Sequence, residues 1–143
     1  LYRIVPRAIL SALLDRKLPL DGGGLSTRSF IHIDDVARAT QMIAENGKNG
    51  ETYHISTDYL ITIRGLVEQI CELTGIPFES FVKIVGDRPG KDKAYQLDSS
   101  KIKHELGWAP EITLVEGLLG TLKWVQGNLE ELSVLPVAYS HKK

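Results

Sequence analysis

The apolar positions first read as helix. Val5, Ala8, Ile9, Ala12 and Leu13 fall on one face, and Pro6 suits the first turn, where a missing N–H costs little. Gly22-Gly23-Gly24 ends this unit in a tight turn. Phe30 to Ile33 predicts a short strand, and Asp34 an N-cap for a helix running to about Glu45, stopped by Asn46-Gly47. Thr52 to Ser56 predicts a second strand. Thr62 caps a helix that buries Ile63, Leu66, Val67, Ile70 and Leu73, with Gly75 and Pro77 at its end. Phe81 to Val85 reads as a strand, residues 86–90 as a turn-rich loop, and Tyr95 to Leu97 as a short extended piece. Asp98 caps a helix to Leu106 that Gly107 closes. Thr113 and Glu116 form a capping box ahead of a helix that buries Val115, Leu118, Leu119, Leu122 and Val125. From Ser133 the pattern fades, so 1–132 is the structured portion and 133–143 a tail. The sum is an α/β pattern, mostly helices with a few short strands.

Composition narrows the function classes. The 143 residues are 43% hydrophobic and 24% charged, which fits a globular chain and excludes a disordered one. Seventeen Lys and Arg against eighteen Asp and Glu leave no basic excess for nucleic acid. No apolar run approaches the roughly 20 residues of a membrane span. A single cysteine, Cys71, cannot form an internal disulfide, and its place on an amphipathic face suits a buried apolar residue. The expected setting is the cytoplasm. Charge is uneven, however. Residues 83–103 carry a net +3 and residues 105–131 a net −4. The first segment suits a small anion such as a diphosphate, which Arg28 and Arg88 could grip bidentately; ordinary solvated faces are the plainer reading.

Known catalytic patterns are missing. No G-x-G-x-x-G, P-loop, H-E-x-x-H or G-x-S-x-G occurs, and the triple glycine precedes a strand instead of a helix. The histidines at 32, 54, 104 and 141 do not pair at metal-ligand spacing. His32 fits a structural role, and His54, beside Ser56 and Thr57, fits a pocket wall almost as well.

Three segments in order carry a resemblance. They are Arg28-Ser29-Phe30-Ile31-His32-Ile33-Asp34-Asp35-Val36-Ala37-Arg38-Ala39, Asp87-Arg88-Pro89-Gly90-Lys91-Asp92, and Tyr95-Gln96-Leu97-Asp98-Ser99-Ser100-Lys101-Ile102 running into Glu105-Leu106-Gly107-Trp108. Together they are similar to the C-terminal part of extended short-chain dehydrogenase/reductases that act on nucleotide-diphospho-sugars, with the dTDP-glucose 4,6-dehydratase pattern nearest. The resemblance implies an α/β substrate-binding portion of a Rossmann-type enzyme. NAD and the Tyr-x-x-x-Lys pair would belong to a separate N-terminal Rossmann domain that this sequence lacks, so the chain alone should be inactive and bind no cofactor. Among its tyrosines only Tyr139 has a lysine four residues on, Lys143, and that pair lies in the tail. In the whole enzyme NAD would take a hydride from the sugar C4 and return it after elimination.

The resemblance also implies roles. Arg28 and Arg88 would contact the diphosphate. Asp92 and Tyr95 would complete the pocket, and Pro6, Pro19 and Leu20 would line the base. His54 stands where the family often has Asn, and Lys91 where it often has His. Asp21 replaces an aromatic residue, which removes the stacking partner expected for thymine. The implied partners are a nucleotide-diphospho-sugar, the Rossmann domain and a further copy in a homo-oligomer, with no nucleic acid and no membrane. An epimerase of the same family, and a stand-alone binding module without catalysis, are the competing readings.

Overall fold

The computed structural model describes residues 2–87, 90 and 92–135. Its elements are α1 (Ile4–Leu13), β1 (Leu18–Asp21), a 3-10 turn (Gly22–Gly24), β2 (Thr27–Ser29), α2 (Ile33–Asn46), β3 (Leu60–Thr62), α3 (Ile63–Thr74), α4 (Phe78–Phe81), β4 (Val82–Val85), β5 (Ala94–Tyr95), α5 (Ser100–Leu106), α6 (Leu114–Gly127) and α7 (Leu129–Ser133). The architecture is the α/β class that the pattern predicts, with more helix than sheet.

Two small sheets organise it. β1 pairs in parallel with β4, with Asp21 opposite Val85. β2 lies between β3, antiparallel, and β5, parallel. The main core forms where α1, α3 and α6 meet β1. Leu10, Leu18, Leu66, Val67, Ile70 and Val125 have no solvent exposure there. Burying such a side chain contributes about 1.5–3 kcal/mol, so this cluster dominates the stability. A second core joins α2 to α5 through Ala39, Ile102 and Trp108.

Local signals explain most helix ends. The Thr62 hydroxyl accepts from the Gly65 N–H at 3.0 Å, and Thr113 and Glu116 form the full capping box. Gly75 and Gly107 end α3 and α5 in the left-handed conformation, where a side chain would be strained.

Several boundaries differ from expectation. The strand predicted at Phe30–Ile33 lies three residues earlier, because the Thr27 N–H is taken by the Lys93 carbonyl at 2.8 Å and Phe30–His32 crosses from sheet to helix. His32, not Asp34, is the N-cap of α2: its Nδ1 accepts from the Asp34 N–H at 3.2 Å. Ser99 stands at the formal N-cap of α5, yet Asp98 still supplies the acceptor, taking the Ser100 N–H at 2.8 Å. β1 escaped prediction because Pro19 interrupts its donor pattern, which a strand with a single partner tolerates. Thr52–Ser56 has no ladder partner among the described residues. Its end is tied down by Ser56, whose hydroxyl meets that of Ser29 at 2.9 Å and whose carbonyl accepts from the Ser99 hydroxyl at 3.2 Å.

Candidate functional site

A cleft of about 730 Å³ opens between the N-terminal turns of α1 and the edge formed by β1 and β2. Its size lies within the usual range for small-molecule sites. Pro19, Leu20 and Val5 give it an apolar wall, and Arg3, Arg7 and Arg28 line it with positive charge.

Backbone geometry builds this cleft. The glycines at 22, 23 and 24 all have positive φ, so the chain reverses within three residues between β1 and β2. At Gly24 a Cβ would sit 2.8 Å from the Arg64 nitrogen and 2.9 Å from Leu20 Cδ2, so only glycine lets the turn approach α3 this closely. At Gly22 a Cβ would sit 2.5 Å from the Asp87 carboxyl carbon. The turn that follows β4 therefore packs directly on the glycine turn at one end of the cleft.

Arg28 is anchored on the cleft wall by two backbone carbonyls. Its Nη1 donates to the Thr27 carbonyl at 2.7 Å and its Nη2 to the Asp92 carbonyl at 3.0 Å. A guanidinium has five N–H donors, and these two bonds fix its plane while leaving others to point outward. No described carboxylate neutralises it. Tyr95 faces Arg28 across the parallel β2–β5 register and is more than half exposed.

The sequence-predicted residues separate accordingly. Arg28, Pro19 and Leu20 line one cleft, and Asp92 joins them through its backbone oxygen. Tyr95 sits on the adjoining strand. Pro6 lies on α1 between two lining residues, Val5 and Arg7. His54 is exposed and lines neither this cleft nor a second one of about 540 Å³ between Phe30, Tyr59, Gln69 and Ile112. Arg88, Pro89 and Lys91 fall outside the described residues, as do 136–143, including Tyr139 and Lys143. Sequence reasoning missed Arg7 and Phe30 as lining residues. The available signal was the i, i+4 spacing of Arg3 and Arg7, which places two cations on one helix face.

A different cluster draws on the first and third of the segments that carry the resemblance. Asp35 is 2% exposed. Its two carboxylate oxygens accept the Glu111 and Ile112 N–H groups, both at 3.0 Å, and Arg38 Nη2 approaches one of them at 2.6 Å. Its backbone carbonyl accepts from the Trp108 indole N–H at 3.2 Å. Burial pushes the Asp35 carboxyl up, but the two backbone N–H donors and the Arg38 guanidinium outweigh it and hold the group below the usual carboxylate range. This cluster pins the segment before α6 onto α2; Asp35 and Arg38 line neither cleft, whereas Glu111 and Ile112 border the second.

Among the described residues no group of three or more His, Cys, Asp or Glu could hold a metal ion, and no helix is long and apolar enough to cross a membrane. The triple-glycine turn leads into β2, so it offers no helix N-terminus to a pyrophosphate.

Known proteins resemble this chain in sequence and fold. A family model described as GDP-mannose 4,6 dehydratase matches residues 1–121. A dTDP-glucose 4,6-dehydratase of Salmonella typhimurium is 35% identical over 135 residues, which is 90% of this chain and 37% of that protein. Among solved structures, a dTDP-glucose 4,6-dehydratase of Streptomyces venezuelae with NAD and TYD bound aligns with a TM-score of 0.85 and 33% identity, over 90% of this chain and 40% of the other. A UDP-glucose 4-epimerase of Thermotoga maritima with UDP-glucose aligns at 0.81 and 31% identity, over 89% and 40%. The chain thus spans about two fifths of the length of these relatives.

Proposed function

The chain belongs to the GDP-mannose 4,6-dehydratase family of nucleotide-sugar dehydratases and epimerases, and from that premise we propose that it supplies the nucleotide-diphosphate-binding portion of a 4,6-dehydratase of the dTDP-glucose type. The observation that carries this reading is Arg28, fixed by two backbone carbonyls on the wall of a cleft that Arg3 and Arg7 also line. A diphosphate needs converging cationic donors, and its nucleoside needs an apolar wall; the cleft offers both.

The chain's own residues bind and orient. Arg28 takes phosphate oxygens, with Arg88 as its expected second partner. Pro19 and Leu20 support the nucleoside, with Asp92 and Tyr95 closing the far side. On this reading NAD is held by the part of the relatives that this chain does not match, and no step through it is assigned to these residues. Holding the nucleotide end of a sugar substrate gives uniform binding, so its loss raises KM before it lowers kcat. An NDP-sugar epimerase is the second reading, because the likeness to the Thermotoga epimerase covers the same residues. Calorimetric titration of the full chain with dTDP-glucose, UDP-glucose and GDP-mannose tests the site. Arg28→Ala and Arg88→Ala should each weaken the tightest of the three by about tenfold or more. Unchanged affinity in both variants sinks the assignment.

A further inference from the structure

We propose that Asn49 is a site of spontaneous modification, converting to aspartate and isoaspartate in the folded protein, while the fold protects Asn46. Both asparagines precede glycine, in the run Asn46-Gly47-Lys48-Asn49-Gly50. The chemistry open to them is the same. The glycine amide nitrogen gives up its proton and bonds to the asparagine side-chain carbonyl carbon, with no Cβ on the glycine to obstruct it. The carbon–nitrogen bond of the side-chain amide breaks, and that nitrogen leaves with the proton as ammonia. Water then opens the cyclic imide. Opening at the former side-chain carbon gives aspartate, and opening at the main-chain carbon gives isoaspartate, whose backbone runs through Cβ. One water enters and one ammonia leaves, with no change of oxidation state.

Both side chains are exposed, so solvent access does not separate them. The amide nitrogens do. Asn46 closes α2, and the Gly47 N–H donates to the Ile43 carbonyl at 2.8 Å. A Cβ at Gly47 would sit 2.5 Å from that carbonyl oxygen, so the backbone is packed against the helix end. A nitrogen held in this bond keeps its proton. Closing the imide would first break the bond and turn Asn46 out of its helical ψ.

Asn49 meets neither restraint. Residues 48–51 form a turn that the Glu51 N–H closes on the Lys48 carbonyl at 3.2 Å. Gly50 takes the third position with φ +81°, and a Cβ there would meet nothing within 4 Å. Among the described residues no group accepts the Gly50 N–H. Its nitrogen is free to lose a proton, and open space lets the Asn49 side chain fold onto it. The product matters locally because the turn is tied to α5 at both ends: Lys48 Nζ lies 3.4 Å from Glu105 Oε2, and Glu51 pairs with Lys101. Isoaspartate adds a methylene to the backbone between these two ties and a carboxylate beside Glu51. Neither Asn49 nor Gly50 lines a described cleft, so the site is independent of the nucleotide reading.

The test is mass spectrometry of tryptic peptides after incubation of the full chain at mildly alkaline pH. Trypsin cuts after Lys48, so the two asparagines report in separate peptides. Incubation in water enriched in heavy oxygen marks conversion that precedes digestion. A chain held unfolded in urea gives the reference, in which both asparagines react at similar rates. In the folded chain Asn46 should convert about threefold to tenfold more slowly than Asn49, the factor that one backbone hydrogen bond supplies. Asn49 itself should stay within about threefold of its unfolded rate, because no hydrogen bond must open first. Asn49→Gln, whose longer side chain closes a larger and slower-forming ring, should remove the signal at residue 49 and leave that of Asn46 unchanged. Equal conversion of the two asparagines in the folded chain, or faster conversion at Asn46, overturns the proposal. So does a folded chain in which Asn49 stays intact while the unfolded chain reacts.

Discussion

Arg38 and Arg28 sit ten residues apart in one sequence motif and do opposite things. Arg38 spends its donors inside the protein. It reaches the Asp35 carboxylate at 2.6 Å, the Ala109 carbonyl at 2.8 Å and the Glu111 carboxylate at 3.0 Å. Its charge is neutralised, and the segment it holds leads into α6. Arg28 meets only backbone carbonyls among its described partners, so its orientation is set while its charge is not compensated by any described carboxylate. A charge cluster closed around a buried carboxylate specifies structure, whereas a fixed cation on a cleft wall is prepared for an anion from outside. Motif membership does not separate the two; partner chemistry does.

The largest effect should come from the structural side. Asp35→Ala leaves two N–H groups and Arg38 without their acceptor, at a cost of about 3 kcal/mol, and should lower the melting temperature by about 10 °C. Nucleotide affinity in the folded protein should stay within about twofold, since Asp35 lines neither cleft. A variant that melts normally would erase the distinction between the two arginines.

Acid should act on the same cluster more mildly. The Asp35 carboxyl lies below its ordinary 3.8 in the folded chain. Its contribution is therefore complete above that value and is lost as pH falls through the lowered folded pKa. Denaturation followed from pH 6 to pH 2 should show a steeper loss below about pH 3.8 in the native chain than in Asp35→Ala. Parallel curves would mean that the cluster does not titrate as its geometry requires.

On the cleft side the readout changes. Arg28→Ala should shift the melting temperature by only about 1–2 °C, because one of its two hydrogen bonds is exposed and the other only part-buried, while nucleotide-diphosphate affinity falls about tenfold. A large melting shift with unchanged affinity would place Arg28 beside Arg38 as a structural residue.

The sequence made some of this legible and hid the rest for physical reasons. Thr62, Thr113 with Glu116, Gly75 and Gly107 act through neighbours a few residues away, so their roles could be read in order along the chain. Asp35 bonds residues more than seventy positions on, and no local pattern shows that its carboxylate is buried. The strand expected at Thr52–Ser56 has the right alternation and no described ladder partner, because pairing is a property of two segments. In the cleft, Arg28, Pro19 and Leu20 were legible through the family pattern. For Arg7 the spacing from Arg3 showed a shared helix face, but only the packing of the fold puts that face in the cleft. His54, expected at a pocket wall from its polar neighbours, lines neither described cleft.

The smallest effects give the sharpest separation, because lysine keeps the charge and removes the planar fork. Arg38→Lys leaves one ammonium to serve acceptors that a guanidinium reached together, so one contact among Asp35, Ala109 and Glu111 must lapse. The side chain is 33% exposed, so water relieves part of the loss, and about 1 kcal/mol of stability should disappear. Arg28→Lys should leave stability unchanged within about 0.5 kcal/mol and weaken nucleotide diphosphates by roughly threefold to tenfold, since a point charge still attracts phosphate but cannot be held flat by two carbonyls. Chemical denaturation and titration of both variants then give a crossed pattern, stability lost at residue 38 and affinity lost at residue 28. Loss of the same quantity in both would show that the two arginines share one role.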